Sequence, residues 1–177
     1  MIKPRLWLRH LSALTLCLLA GQPTIAQMGG SNVLVAARVA SFLQPALEGQ
    51  VTAAIIYRPG DAASEREARA IERGLGAGLA VGSITLRPRR VAANALGELA
   101  GARVAFVTTG TDYREIAAAT APRSILTISG DPACTRAAWC VVTVSATNRV
   151  QITVSRAAAK AARLKFNSAF LMLIKEI

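Results

Sequence analysis

Four compact apolar runs punctuate the chain: Val51–Tyr57, Val81–Arg87, Arg103–Thr108 and Ser124–Ile128. Runs of this length, rich in β-branched residues and apolar on successive positions, are expected of strands covered on both faces. Between them the pattern lengthens to a helical period. Ala68, Ile71, Glu72 and Leu75 span the faces of one helix. Ser64-Glu65-Arg66-Glu67 ahead of them fits a capping box, with Ser64 at the N-cap and Glu67 three residues on. Val91–Ala100 reads as a short helix ended by Gly101. Thr111 or Asp112 caps another, which runs to Thr120 before Pro122. Upstream, Val35, Val39 and Phe42 recur at i, i+4 and i+7 in a helix over 33–43, closed by Pro45 and Gly49. Alternation of strand and helix from Val51 to Ile128 predicts a parallel sheet with right-handed crossovers.

After Ile128 the rhythm changes. Trp139–Ser145 and Arg149–Val154 flank Ala146-Thr-Asn148, a hairpin turn. Val150, Ile152 and Val154 are expected on a buried face, with Arg149, Gln151 and Thr153 on a wet one. Ser155 or Arg156 opens an alanine-rich helix to Arg163, and Asn167 or Ser168 caps a final helix. There Phe166, Phe170, Leu173, Ile174 and Ile177 recur at helical spacing. Such a stripe packs a core or, through Phe166 and Phe170, faces a partner. The predicted fold is an α/β single-domain sandwich: a mostly parallel sheet from βα units, with a C-terminal β-hairpin and terminal helices.

The first 26 residues stand outside that pattern. Lys3, Arg5 and Arg9 precede an apolar run, Leu11–Ala20, and Thr24-Ile25-Ala26 supplies small residues for a signal peptidase. The run is shorter than the roughly 20 residues of a membrane span. It reads as a cleaved secretory signal peptide, giving a periplasmic protein. The expected organisation is 1–26 signal peptide, 27–50 leader and N-terminal helix, and 51–177 α/β domain. Cleavage removes the lone His10 and Cys17, and takes 3 of the 21 basic residues. Eighteen then face 10 acidic residues, a net charge of +8. The arginines are scattered apart from Arg87-Pro88-Arg89-Arg90, and no aromatic residues interleave with that cluster for base stacking. The charge therefore points to an anionic membrane surface or an acidic partner face, and away from nucleic acid.

The loss of histidine also bears on chemistry. Ser-His-Asp and Cys-His schemes lack their base. Metal ligation lacks its commonest donor, and a six-residue cysteine spacing has no second ligand pair. No cofactor, metal site or catalytic group is expected, and the chain reads as a non-enzyme. The glycines of Gly74–Gly82 close a helix and precede a strand, so they read as C-caps and not as a phosphate loop. Asp61, Thr109, Asp112 and Asp131 follow predicted strands, where parallel sheets bind ligands; turn and cap chemistry is the plainer reading of the aspartates. Cys134 and Cys140, an even pair in an oxidising compartment, are expected to form a disulfide. It would act either as a staple on the loop before the hairpin or as a reducible switch.

Three segments resemble the YfiR family of exported bacterial proteins: Ile125-Leu-Thr-Ile-Ser-Gly-Asp131, Ile152-Thr-Val-Ser-Arg-Ala-Ala-Ala-Lys-Ala-Ala-Arg-Leu-Lys-Phe-Asn-Ser168 and Leu99-Ala-Gly-Ala-Arg-Val-Ala-Phe-Val107. The resemblance implies a periplasmic repressor that binds the periplasmic domain of an inner-membrane sensor, a diguanylate cyclase, and holds it inactive. It also places Cys134 and Cys140 at the family's C-terminal bridge. The regulator reading is completed by the expectation of a homodimer. The chain lacks the family's second cysteine pair and its Trp-Pro element, and carries Ser155 where the family has Asn. A different class of function competes: a periplasmic small-ligand binding protein related to transport receptors, with its site in the loops after Tyr57, Thr108 and Ile128.

Overall fold

The computed structural model describes residues 28, 30–146 and 150–177. The signal-peptide segment, the hairpin turn residues 147–148 and Arg149 lie outside them.

Among the described residues ten strands and six helices follow one another. Helix α1 is Gly30–Val39, β1 Leu43–Gln44, β2 Gly49–Tyr57, α2 Ala62–Leu75, β3 Leu79–Val81 and β4 Ile84–Ala92. Strand β5 is Ala102–Val107, α3 Tyr113–Thr120, β6 Leu126–Ser129 and α4 Pro132–Arg136. Strands β7 and β8 are Val142–Ala146 and Val150–Val154, α5 is Arg156–Ala161, β9 Lys165–Phe166, α6 Ser168–Leu171 and β10 Lys175–Glu176. Eight strands form one sheet in the order β10-β8-β7-β6-β5-β2-β4-β3. The five central strands, from β7 to β4, are parallel. Strand β3 is antiparallel to β4, and β8 to β7.

The middles of β2 and β5, Ala53–Ile56 and Val104–Val107, are apolar on successive positions because the sheet is covered twice. In β2, Val51, Ala53 and Ile55 join one core cluster, with Ala68, Ile71 and Leu75 of α2 and Val33 and Ala36 of α1. Ala54 and Ile56 join the other, with Ile116 of α3 and both cysteines. Ala158 and Ala159 of α5 and Phe170 of α6 extend the first cluster.

Four departures from the sequence expectation have physical causes. Strand β4 runs on to Ala92, through Pro88 and residues assigned above to a helix. Its nine residues pair one for one with β2, from Gly49 opposite Ile84 to Tyr57 opposite Ala92. Strand β3 covers only Ile84–Leu86, so Pro88 sits where the outer edge of β4 is free and its missing N–H costs no ladder bond. What remains of the expected helix is a 3-10 turn over Leu96–Leu99. Second, α2 begins at Ala62 and is capped by Asp61, whose side chain accepts from the N–H groups of Ala63 and Ser64. The Ser64–Glu67 capping box does not form. Third, the final helix stops at Leu171. The free edge of β8 captures the chain instead, as Lys175 and Glu176 pair with Thr153 and Val154. Fourth, the wet and buried faces of β8 are less distinct than alternation predicts, since Val150 is 47% exposed.

Gly74 is more than a helix ending. It lies inside α2, and a Cβ added there would stand 2.9 Å from Cβ of the fully buried Val33. Gly74→Ala is expected to destabilise the fold by about 1–2 kcal/mol. Overpacking costs about 1–3 kcal/mol, and the helix-propensity gain of about 1 kcal/mol offsets only part of it. Denaturant titration of Gly74→Ala, alone and with Val33→Ala, checks this: partial recovery in the double variant is the expected mark of the α1–α2 clash.

Candidate functional site

The chain leaves β2 for α2 on one face of the sheet, and leaves β5 for α3 on the other. Between the carboxyl ends of these two strands the connections diverge, the arrangement that opens a crevice in a parallel sheet. The loops that meet there are 58–61 and 108–112.

Two polar networks fill the crevice floor. One begins at the Arg58 N–H, which donates to Ser64 Oγ at 2.8 Å. Ser64 Oγ lies 2.7 Å from Thr108 Oγ1, and Thr108 Oγ1 donates to the Ile56 carbonyl at 3.0 Å. Each hydroxyl has one proton, so Ser64 must donate to Thr108. Both protons are thereby committed. The second network centres on Glu67, which is 2% exposed. Its Oε1 accepts from the Met28 N–H at 3.0 Å. Its Oε2 accepts from the Thr109 N–H at 2.9 Å and from Thr109 Oγ1 at 2.8 Å. One carboxylate thus ties the N-terminal segment, α2 and the loop after β5 together.

The expected crevice residues divide. Asp61, Asp112 and Asp131 are the N-caps of α2, α3 and α4. Thr109 is buried beneath Glu67. Asp61 also reaches the next loop, since a Cβ on Gly110 would come within 3.2 Å of its Oδ2. The Ser64 N–H bond, the largest lowering influence, holds the Asp61 carboxyl below its ordinary range against a smaller opposing desolvation; the Ala63 N–H and the nearby Arg58 and Arg66 charges add to the lowering. Of the four, only Asp112 lines the open groove beside these loops. That groove is about 620 Å³, walled by Arg58, Pro59, Ala93, Asn94, Thr111 and Glu115 as well. Arg58 Nη1 donates across it to the Gly110 carbonyl at 3.2 Å. Sequence reasoning missed Arg58, Asn94 and Glu115. The position of Arg58 directly after a strand was the available signal; Asn94 was hidden by the helix expected there.

Asp131 does not line this groove. Its Oδ2 accepts from the Tyr113 hydroxyl at 3.2 Å. Burial, and then the Asp131 charge, push the Tyr113 phenol well above its ordinary range. The sign of the pH effect follows. Above about pH 10 the unfolded chain releases this proton while the folded chain keeps it, so stability falls as pH rises. Tyr113→Phe removes that contribution. The stability advantage of the wild type over Tyr113→Phe is expected to shrink between pH 9 and 11, measured by urea titration across the range.

The remaining candidates are placed as follows. Cys134, in α4, and Cys140 are joined in a disulfide, and both are fully buried. Arg87 bonds the Ala77 carbonyl, Arg89 the carbonyls of Glu98 and Ala100, and Arg90 stacks 4.2 Å over the Tyr57 ring. The tight basic cluster is therefore spent on the fold. Phe170 is 3% exposed and stacks on Phe42 at 4.7 Å, with Phe166 half-buried against it. Phe170 is core and not partner surface, because the small β1–β9 ladder brings Phe42 over it. Among the described residues no cluster of three His, Cys, Asp or Glu side chains could hold a metal ion.

Residues 61–174 match the model of a family described as YfiR/HmsC-like. Among curated proteins none matches the sequence. Among solved structures, a conserved domain protein from Vibrio cholerae O1 biovar El Tor superposes with a TM-score of 0.62 at 9% identity, over 81% of this chain and 59% of that one. The ABC domain from Streptococcus pneumonia in complex with L-Trp superposes with a TM-score of 0.60 at 7% identity, over 82% of this chain and 61% of that one. These likenesses are of fold, and this chain spans less than two thirds of the length of either structure.

Proposed function

This chain belongs to the YfiR/HmsC-like family, and we propose that it is an exported, non-enzymatic regulator that binds the periplasmic domain of an inner-membrane signalling protein, a diguanylate cyclase, and holds it inactive. The family match over 61–174 carries this reading. Three observations support it. Residues 1–26 have the composition of a secretory signal peptide, and among the described residues no helix is long and apolar enough to cross a membrane. The cysteine pair is bonded, as an oxidising compartment favours. The hydroxyls of the crevice are committed to the fold, which suits a binding surface better than a catalytic one. We propose a homodimer as the binding form.

Deleting the gene is expected to raise cellular cyclic-di-GMP, and a tagged chain is expected to recover a membrane cyclase from envelope extracts. An unchanged nucleotide level together with no recovered sensor would defeat the reading. Light scattering on the purified chain decides the dimer.

A second reading, a periplasmic small-ligand binding protein, draws on the groove of about 620 Å³ at the strand ends and on the fold shared with a domain solved with L-Trp. Such grooves fall in the size range of small-molecule sites. A thermal-shift screen of metabolites tests it, and a screen with no stabilising compound removes it.

A further inference from the structure

The C-terminal end of the chain presents two side chains the core does not use. Phe170 is buried, and Leu171 and Ile174 pack partly against the first core cluster. Between them α6 ends, with the Leu173 N–H donating to the Phe170 carbonyl at 2.9 Å. The turn throws Met172 and Leu173 outward, each 82% exposed. Two large adjacent apolar side chains at that exposure are unusual for a surface left in water.

The same stretch of chain is rich in positive charge. From residue 156 onward the chain carries Arg156, Lys160, Arg163, Lys165 and Lys175 against the single carboxylate side chain of Glu176. All five cations are exposed. Among the described residues the one ion pair within 4.0 Å is Arg69–Glu65, on another helix, so these five are unpaired there. Four of them, with Glu176, line a cavity of about 480 Å³ that also includes Phe166 and Leu171, next in the chain to Met172.

We propose that this end of the molecule docks on an anionic phospholipid bilayer, with Met172 and Leu173 entering the acyl boundary and the cations at the headgroups. Charge complementarity selects the occupant. A second copy applied to the same face would set its four cavity-lining cations against four, with one carboxylate on each side. A protein partner needs pockets shaped to take two projecting side chains, whereas a bilayer accepts projecting apolar groups without a preformed pocket. Apolar tips that follow directly in the chain on Leu171, itself in a cavity lined by four cations, match the pattern of interfacial membrane binding. The inference does not depend on which protein the chain regulates.

The test uses the chain from residue 27, which keeps every described residue and lacks the apolar 11–20 run that would itself enter a lipid phase. It is sedimented with phosphatidylcholine vesicles and with vesicles containing phosphatidylglycerol. Retention on the anionic vesicles alone, weakening as salt rises, is expected. Lys160→Glu with Arg163→Glu is expected to lower that affinity at least twentyfold, from roughly fivefold per cation removed. Met172→Asp with Leu173→Asp is expected to lower it on the order of a hundredfold. All four positions are exposed, so the thermal melts are expected to stay as in the wild type. Leu173→Trp gives an independent readout, a blue-shifted emission on anionic vesicles. No retention at low salt, or full retention by the Met172/Leu173 variant, overturns the proposal. So does a wild type that ignores vesicles while the same variants lose a dimer or an acidic protein partner.

Discussion

Glu67→Ala is expected to lower the stability of the fold by about 3–5 kcal/mol. The substitution strands the buried N–H groups of Met28 and Thr109, and takes the acceptor from Thr109 Oγ1. Each buried donor left without a partner costs about 1–3 kcal/mol, and bonds to a carboxylate lie at the upper end. The Thr109 hydroxyl can turn to another acceptor; the two backbone groups cannot. Glu67→Gln separates the hydrogen-bond role from the volume. The amide retains one acceptor oxygen but opposes an NH2 to a donor on the other side, so one N–H still loses its partner. That variant is expected to fall by about 1–3 kcal/mol. Glu72→Ala, on the exposed side of the same helix, is the control and is expected within about 0.5 kcal/mol of the wild type. Guanidinium titration with a shared slope orders the three. Equal midpoints for Glu67→Ala and Glu72→Ala would show that the carboxylate does not hold the loop after β5. The consequence reaches the groove, because Gly110, Thr111 and Asp112 continue directly from the residue Glu67 grips.

Glu67 also shows how far the sequence could be read. The pattern Ser-x-x-Glu satisfies a capping box locally, and nothing in those four residues excludes it. What decides is the buried stripe of α2. Ser64, Glu67, Ala68, Ile71 and Leu75 are its buried residues, and the first two are polar. Extending the apolar stripe one turn towards the N-terminus would have placed Glu67 inside and left the cap to Asp61. The central strands were legible because burial on both faces removes any ambiguity of period, as in Ala53–Ile56 and Val104–Val107. Strand β4 was legible only in part. Arg87, Arg89 and Arg90 look like a break in an apolar run, and their long side chains instead reach carbonyls and a ring outside the strand. Its length is set by β2, a partner 35 residues earlier in register, which no local window contains. The same holds at the C-terminus. The spacing of Phe170, Leu173 and Ile177 suits a helix, but the open edge of β8 offers the backbone a ladder, and Ile177 closes it by donating to Val154 and accepting from Arg156. Among the site residues, the caps Asp112 and Asp131 followed from position after a strand. The groove followed in part: the loops after Tyr57 and Thr108 were expected to form a site, but the wall at Ala93 and Asn94 was hidden by the helix expected there.

Replacing both Cys134 and Cys140 with alanine is expected to cost about 2–3 kcal/mol of stability without changing the fold. The six-residue separation closes a short loop. In the chain-entropy model a loop of that size contributes roughly 2 kcal/mol, and the lost packing of two sulfurs adds to it. The loop is already well tied: the N–H groups of Trp139 and Cys140 both donate to the Cys134 carbonyl, and Thr135 Oγ1 meets Thr143 Oγ1 at 2.9 Å. These bonds survive the substitution, so α4 and β7 are expected to keep their places. Burial separates the staple from the switch. Both sulfurs lie in the second core cluster with Ile125, Val107 and Ile116, out of reach of a thiol reagent in the folded state. Exchange requires an attacking thiolate to arrive at sulfur, so reduction waits on opening of the cluster. In native buffer, a reductant is expected to release no titratable thiol from the chain beginning at residue 27. Two thiols are expected to appear as guanidinium passes the unfolding midpoint. A bond reduced rapidly in native buffer, with the melt unchanged, would make the pair a switch; a melt lowered by about 2–3 kcal/mol only after forced reduction makes it the staple of the hairpin.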